Sequence, residues 1–285
     1  MESFILENEP AIRLGFFVGV LVLIALWEVF APRRALTMSK AIRWGSNLGI
    51  VALNTVAVRL VFPVVAVAFA ALAAEQGWGI LNIVDMHPVL ALIIALVVLD
   101  FAIWLQHVMV HAIPVLWRIH RMHHADLDYD LTTGNRFHPL EIILSMGLKF
   151  LVILMLGPPV LAVVIFEVIL NALAMFNHGN IRLPLAVDRV LRMLIVTPDM
   201  HRVHHSPQDD ETNSNFGFNL SIWDRLFGTY KAQPDKGHEA MEIGIDLFKN
   251  PRDNTLPKML IQPFRGGVGQ YAINRRRWKR SGDAS

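Results

Sequence analysis

The sequence predicts an all-α integral-membrane protein: a bundle of three spanning helices plus a helical hairpin, with a cytoplasmic helical cap that carries a histidine cluster. Three observations predict it. The chain has 285 residues, of which 54% are hydrophobic. Its apolar residues gather in runs of the ~20 residues that cross ~30 Å of hydrocarbon. Between those runs lie most of its 12 histidines, and eight of them fall in three short motifs. The chain has no Cys, which excludes disulfides, thiolate zinc sites and cysteine nucleophiles. Lys and Arg number 26 against 24 Asp and Glu, a near balance that marks no nucleic-acid partner.

The first run, 14–31, holds one charge, Glu28. Its leading stretch MESFILENE is acidic and no small-residue cleavage site follows, so it is read as a retained helix and not a signal peptide. The second, 48–74, holds only Arg59 and has Pro63 inside it; the third, 89–106, holds only Asp100. The stretch 142–176 is too long for one span and has Gly-Pro-Pro at 157–159, near its centre. Proline cannot continue a helix interior and Gly-Pro marks a turn, so this region reads as a hairpin that enters and leaves on one side. Lys149 and Glu167 each stand nine residues from Pro158. Equal depth would let them pair and lower the cost of burial; the plain alternative is that they snorkel to the interface. The chain thus divides into N-terminal helices (1–84), a histidine-bearing segment (85–232) and a C-terminal tail (233–285).

Orientation follows from the basic residues. Arg33, Arg34, Lys40 and Arg43 follow the first run, Arg118, Arg121 and Arg136 follow the third, and RRRWKR ends the tail, whereas 75–88 has no Lys or Arg. The positive-inside bias puts the N-terminus outside and 32–45, 107–140 and 177–285 in the cytoplasm. The tail segment INRRRWKR around Trp278 is either a solvated end or a contact for anionic headgroups.

The histidines are the functional signal. His107 and His111 form an i, i+4 pair where the third span ends. His120, His123 and His124 (HRMHH) share one helical face, and His201, His204 and His205 (HRVHH) repeat the pattern 81 residues later. Eight imidazoles suit two metal ions with about four each, and imidazole suits Zn, Cu, Fe and Ni alike. Without a metal such crowding gains nothing, because protonated rings repel one another. A histidine-rich divalent-metal transporter, or a metal-binding membrane protein without oxygenase activity, is the alternative reading. A transporter would want histidines and carboxylates along a path through the membrane.

The strings DFAIWLQHVMVH, WRIHRMHHADLDYD, RFHPLE, FNHGN, TPDMHRVHHS and NSNFGFNLSIWDRLFGTY, over 85–232, resemble the fatty acid hydroxylase and sterol desaturase superfamily of membrane di-iron oxygenases. The resemblance implies two iron ions and O2-dependent hydroxylation or desaturation of a C–H bond in a lipid, such as a sterol-like or fatty acyl lipid. It also implies a separate electron donor, ferredoxin or cytochrome b5-like with a reductase. The eight box histidines match the family's ligands. His178 in FNHGN matches an additional histidine of many members and is expected as a ninth ligand. His138 in RFHP is expected either as a ligand or just behind the ligands. Where some members carry a further histidine after the ninth, this chain has Arg182.

Asp100 matches an acid seven residues before the first histidine. It lies about two turns, ~10 Å, from His107, too far for a direct bond along one helix. It is expected to orient a ligand from another element or to pair with an Arg. Asp199 and Asn215 are further candidates for supporting the ligands. Asp126, Asp128 and Asp130 read equally as a solvated face. Arg121 and Arg202, which directly follow the first His of each HRxHH box, should turn off the ligand face toward flanking acids or headgroups. The absence of an organelle signal or long extension leans toward a bacterial plasma membrane.

Overall fold

The computed structural model describes residues 2–268, and among these it is helical, with no strand beyond two isolated bridges. The main helices are α1 (Glu9–Phe30), α2 (Lys40–Val61), α3 (Ala66–Glu75), α4 (Pro88–Ala112), α5 (Pro114–His124), α6 (Pro139–Leu156), α7 (Val160–Asn177), α8 (Leu185–Leu191), α9 (Pro198–His204) and α10 (Ile222–Leu226). Five stretches are long and apolar enough to cross a membrane: α1, the run Lys40–Ile83 that contains α2 and α3, α4, α6 and α7. The chain is an integral membrane protein of the all-helical class. The basic run 273–280 lies outside the described residues.

The second apolar run is two helices and not one. Phe62 takes an extended conformation (φ −117°, ψ 105°) and ends α2. Pro63 is the cause: it lacks an N–H, clashes with the preceding turn and pushes its predecessor out of the helical region. The hairpin expected from Gly-Pro-Pro is present. Gly157 closes α6 in the left-handed conformation (φ 64°), and Pro159 stands before the first turn of α7. A Cβ on Gly157 would overlap the Trp78 carbonyl and the Asn82 side chain, and one on Gly79 (φ 90°) would overlap the Gly157 backbone. The two loops can cross only because both positions lack side chains.

Helix α1 packs on α7, α2 on α6, and α4 on both α7 and α6. Ala66, Val67, Ala70 and Ala73 of α3 meet Ile153, Val160, Val163 and Val164 of the hairpin in one apolar cluster. Small residues let the helices approach closely, as is common in membranes. Inside the bundle Lys149 pairs with Glu167 at 2.6 Å, and Arg13 of α1 reaches the same carboxylate at 3.0 Å and Glu9 at 2.6 Å.

The histidine-bearing segments gather at one end of the bundle. Several charges that read as surface features are buried fasteners there. Glu28 accepts from the Leu131 and Asn180 backbone N–H groups at 2.7 and 2.8 Å. Arg43 grips Asp126 with two parallel bonds of 2.9 and 2.8 Å and reaches Asp130 at 2.5 Å. Asp128 accepts from the Thr37 and Met38 backbone. The three aspartates are therefore neither solvated nor in contact with a histidine: they tie the start of α2 to the loop after α5. Burial works against the Asp126 charge, but Arg43 and Arg136 outweigh it and hold the carboxyl well below the usual range.

Candidate metal centre

Four elements deliver the imidazoles. The last two turns of α4 carry His107 and His111, and α5 carries His120, His123 and His124. His178 caps α7, and α9 with its C-cap carries His201, His204 and His205. Helices α4, α5 and α9 all begin with Pro at the first turn, where its missing N–H is harmless. Thr197 caps α9 by accepting from the Met200 N–H.

Nine histidines converge in two groups. His107, His111, His120, His124 and His204 form one; His123, His178, His201 and His205 form the other. Within each group the candidate ligand atoms lie within 4.8 Å of one another, and all nine residues are buried. Burial, reinforced by neighbouring imidazoles, holds the pKa values of His123, His124, His201, His204 and His205 well below the ordinary histidine value. Burial pushes that of His178 down to about 3. These rings are neutral at physiological pH, the form that binds metals.

The hydrogen bonds reveal which nitrogens point inward. His107 Nδ1 meets the Phe216 carbonyl at 2.7 Å, His204 Nδ1 the Ser214 carbonyl at 2.7 Å, and His178 Nδ1 the Ala174 carbonyl at 2.8 Å. His120 Nδ1 meets Glu141 Oε1 at 2.7 Å. A carbonyl only accepts, so Nδ1 carries the proton and Nε2 is left with a bare lone pair. Yet His107 Nε2 faces His204 Nε2 at 3.0 Å, and His178 Nε2 faces His123 Nε2 at 3.1 Å and His205 Nε2 at 3.2 Å. His107 and His204 both have Nδ1 held by a carbonyl, so their Nε2 lone pairs are directed at each other and repel unless a cation lies between them. Nitrogens ~2.1 Å from one ion and at right angles stand ~3 Å apart, so the spacing fits two transition-metal ions. An all-nitrogen donor set excludes the oxygen-preferring cations Ca and Mg.

His138 does not join either group. Its Nδ1 accepts from the Leu140 N–H as the N-cap of α6, and its Nε2 meets the Leu260 carbonyl at 3.1 Å. Both nitrogens are committed to backbone, which corrects the expectation of a ligand there. Asp100 neither touches a histidine nor pairs with an Arg: Oδ2 accepts from Trp223 Nε1 at 2.8 Å and from the Leu220 N–H at 3.3 Å. Asp199 likewise sits apart from the nine rings, paired with Arg202 and with Arg33. Arg202 thus turns toward a flanking acid, as expected. Arg121 does not: it grips the carbonyls of Gln262, Arg265 and Gly267.

Asn215 supports the centre through its backbone. It has a positive φ of 50°, which Asn tolerates better than most residues. Its side chain ties Met200 and Lys231 together at 2.9 and 2.8 Å. Its two neighbours, Ser214 and Phe216, then supply the carbonyls that orient His204 and His107. Two supports escaped the sequence reading. Glu141 holds His120, and its only signal was its place in RFHPLE in the first turn of a helix. Asp224 accepts from the Phe216 and Gly217 N–H groups, both at 2.9 Å, and from Trp104 Nε1 at 3.1 Å. It clamps the carbonyl-bearing loop to α4.

A cavity of about 640 Å³ runs into the bundle from this centre. Of the nine histidines only His107 and His120 line it, so the cavity opens on the five-histidine group. Most of its wall is apolar, from residues such as Val51, Val58, Ile103 and Leu170.

Fold and site together define a membrane-embedded helical protein with a buried histidine cluster that could hold metal ions at the head of an apolar cavity. The sequence profile of the fatty acid hydroxylase family matches residues 92–229. This match and the relatives below support the fatty acid hydroxylase and sterol desaturase superfamily. The chain is similar to the ornithine lipid hydroxylase OlsE of Rhizobium tropici, 29% identical over 153 residues that cover 54% of this chain and 45% of that protein. It is also similar to alkylglycerol monooxygenases. The Homo sapiens protein is 29% identical over 53% of this chain and 33% of its own length; for Xenopus tropicalis the figures are 32%, 53% and 32%. The match thus spans less than half the length of each of these relatives. No solved structure matches the chain.

Proposed function

We propose that this protein is a membrane-bound lipid oxygenase that uses two iron ions, O2 and electrons from a separate donor to hydroxylate a C–H bond. The observation that carries this reading is the pair of bare Nε2 lone pairs of His107 and His204, facing each other within a cluster of nine buried histidines at the end of a lipid-sized apolar cavity. The match to the fatty acid hydroxylase family and relatives described as a lipid hydroxylase and alkylglycerol monooxygenases support it. Two bound irons would supply the O2-dependent oxidation of an unactivated C–H bond. The balance is one C–H bond, O2, two electrons and two protons in, an alcohol and one water out; desaturation takes the same inputs and gives an alkene and two waters.

The chain's own part is positioning. Ser214, Phe216 and Ala174 carbonyls and Glu141 hold four rings in one tautomer, so their Nε2 atoms are ready as ligands without reorganisation. Burial keeps the His178 and His204 rings neutral. The cavity wall holds a hydrocarbon chain beside His107 and His120. The proposed setting is a bacterial plasma membrane, with the N-terminus outside and the centre at the cytoplasmic face, where the electron donor docks.

Comparative lipid mass spectrometry of cells with and without the protein tests the reading. A lipid that gains one oxygen atom only when the protein is present is expected, and loss of two hydrogens would mean desaturation. Unchanged lipids in iron-replete cells making the metal-loaded protein would overturn it. A metal transporter would instead change cellular metal content and leave the lipids alone.

A further inference from the structure

The cavity's apolar wall changes character beside His107 and His120. There it is lined by Asn54, Gln106, Asn135 and Glu141. Asn54 and Glu141 are 7% and 4% exposed, and each is half committed. Asn54 Nδ2 donates to the Phe137 carbonyl at 2.9 Å, which fixes the amide's direction and leaves its buried Oδ1 without a hydrogen-bond partner. Phe137 in turn stacks on His123 at 4.5 Å, so Asn54 stands at the level of the metal centre. Glu141 Oε1 is taken by His120, and its buried Oε2 has no hydrogen-bond partner. Gln106, adjacent to His107, and Asn135 each add one more unpartnered buried amide atom.

Buried polar atoms are nearly always hydrogen-bonded, and an acceptor left unpaired is destabilising. A bare hydrocarbon chain beside these atoms would leave all of them unpaired. The two whose direction is fixed, Asn54 Oδ1 and Glu141 Oε2, are both acceptors, and one belongs to a carboxyl group. They complement hydroxyl or ammonium donors and oppose a phosphate or carboxylate. Of the charges that line the opposite end of the cavity, Arg13 is matched by Glu9 and Glu167, and Glu167 also takes Lys149. The exposed Arg59 lines the cavity with no acidic partner among the described residues and is the competing site for an anionic head. Glu141 and Lys149 are eight residues apart on α6, roughly 12 Å along the axis at the helical rise.

We infer that Asn54 and Glu141, with Gln106 and Asn135, form the seat for the substrate's polar head: a neutral or cationic head rich in hydrogen-bond donors. The tail runs from this seat along the apolar wall toward Arg13 and Glu167. The oxidised carbon is therefore in the head or next to it, and not deep in the chain. This rests on the lipid-oxygenase reading, so its test measures binding alone.

The full-length, iron-loaded protein is placed in phosphatidylcholine nanodiscs without reductant and given labelled hexadecyl glycerol ether. Hexadecylamine and hexadecyl phosphate, with the same chain, serve as competitors. The ether is expected to bind, the amine to compete comparably, and the phosphate to compete at least about tenfold more weakly. Asn54→Leu should weaken ether binding roughly tenfold, the scale of one hydrogen bond. Gln106→Leu gives a second reading if Asn54→Leu misfolds, and retained iron content reports folding in both. No ether binding, a phosphate that competes as well as the amine, or correctly loaded variants that bind the ether unchanged would each overturn the seat. Phosphate binding abolished by Arg59→Gln would put the head at the other end of the cavity and also overturn it. If the heads discriminate but added reductant and O2 yield no oxygenated product, the oxygenase reading fails and the seat stands. Oxygenation without head discrimination is the reverse case.

Discussion

His107 and His204, 97 residues apart in sequence, direct Nε2 at Nε2 across 3.0 Å. Each ring is turned into that position by a backbone carbonyl on its far nitrogen. The pair is an electrostatic conflict that a cation resolves. Replacing His204 by Ala should remove metal from the five-histidine group, and replacing His205 by Ala should do so for the four-histidine group. Iron and zinc analysis of the purified variants measures this. Full metal content in both would exclude the ligand assignment.

His138 provides the contrast. Because it caps α6 and meets Leu260, His138→Ala should leave metal content unchanged. It should lower stability by ~1 kcal/mol, the usual worth of an N-cap. Asn at this position can still cap, so His138→Asn should recover most of the loss. Thermal unfolding in detergent, with metal analysis on the same samples, separates the two effects.

Glu141 acts on the centre through His120. Removing the partner of a metal-binding histidine commonly lowers metal affinity ~10–100-fold. Glu141→Ala is expected in that range and Glu141→Gln, which keeps an acceptor, nearer to wild type. Competition with a calibrated chelator gives the affinities. Equal affinities in all three proteins would mean that the His120–Glu141 bond does not support the metal.

What could be read from the sequence, and what could not, divides along a physical line. Apolar runs and helical spacing are local properties, so the spans, the hairpin at Gly157 and the shared face of each HRxHH box were legible. Pro63 was visible, but an apolar run already long enough to span carries no local signal that it is divided, and the second run is two helices. Partners distant in sequence were not legible. Arg43 read as a topology charge but is a buried clamp on Asp126 and Asp130. Asp100 read as a support for a histidine but anchors Trp223 and Leu220. His138 matched a family position, yet a histidine before Pro139 serves equally well as a helix cap, and spacing alone does not choose. The carbonyls of Ser214, Phe216 and Ala174 have no side-chain signature at all.

Glu167 is the shared anion of the buried ion network, taking Lys149 at 2.6 Å and Arg13 at 3.0 Å. Glu167→Leu leaves Lys149 without this partner, whereas Lys149→Met leaves Glu167 still paired with Arg13. The first should therefore destabilise more, on the order of the 3–5 kcal/mol seen when buried pairs are broken, and the second less. The unfolding midpoints of both variants in detergent test the order. A double variant, Lys149→Met with Glu167→Leu, should recover part of the loss, because no buried lysine then remains unpaired.

Orientation is the last expectation. Arg43 and Arg136 are fully buried and serve the fold, so they also have a structural reason to lie where they do. The bias still holds without them. Arg33, Arg34, Lys40 and Arg118 lie at the histidine end, and 75–88 at the opposite end has no Lys or Arg. The positive-inside rule counts such residues close to span ends and favours the cytoplasm for the richer side. Gly77 is suited to an insertion, since it is exposed and has nothing within 4 Å of where a Cβ would stand. A reporter inserted after Gly77 should read external, and one fused after Ser285 should read cytoplasmic. The reverse pair of readings would invert the protein and put the metal centre on the side away from a cytoplasmic electron donor.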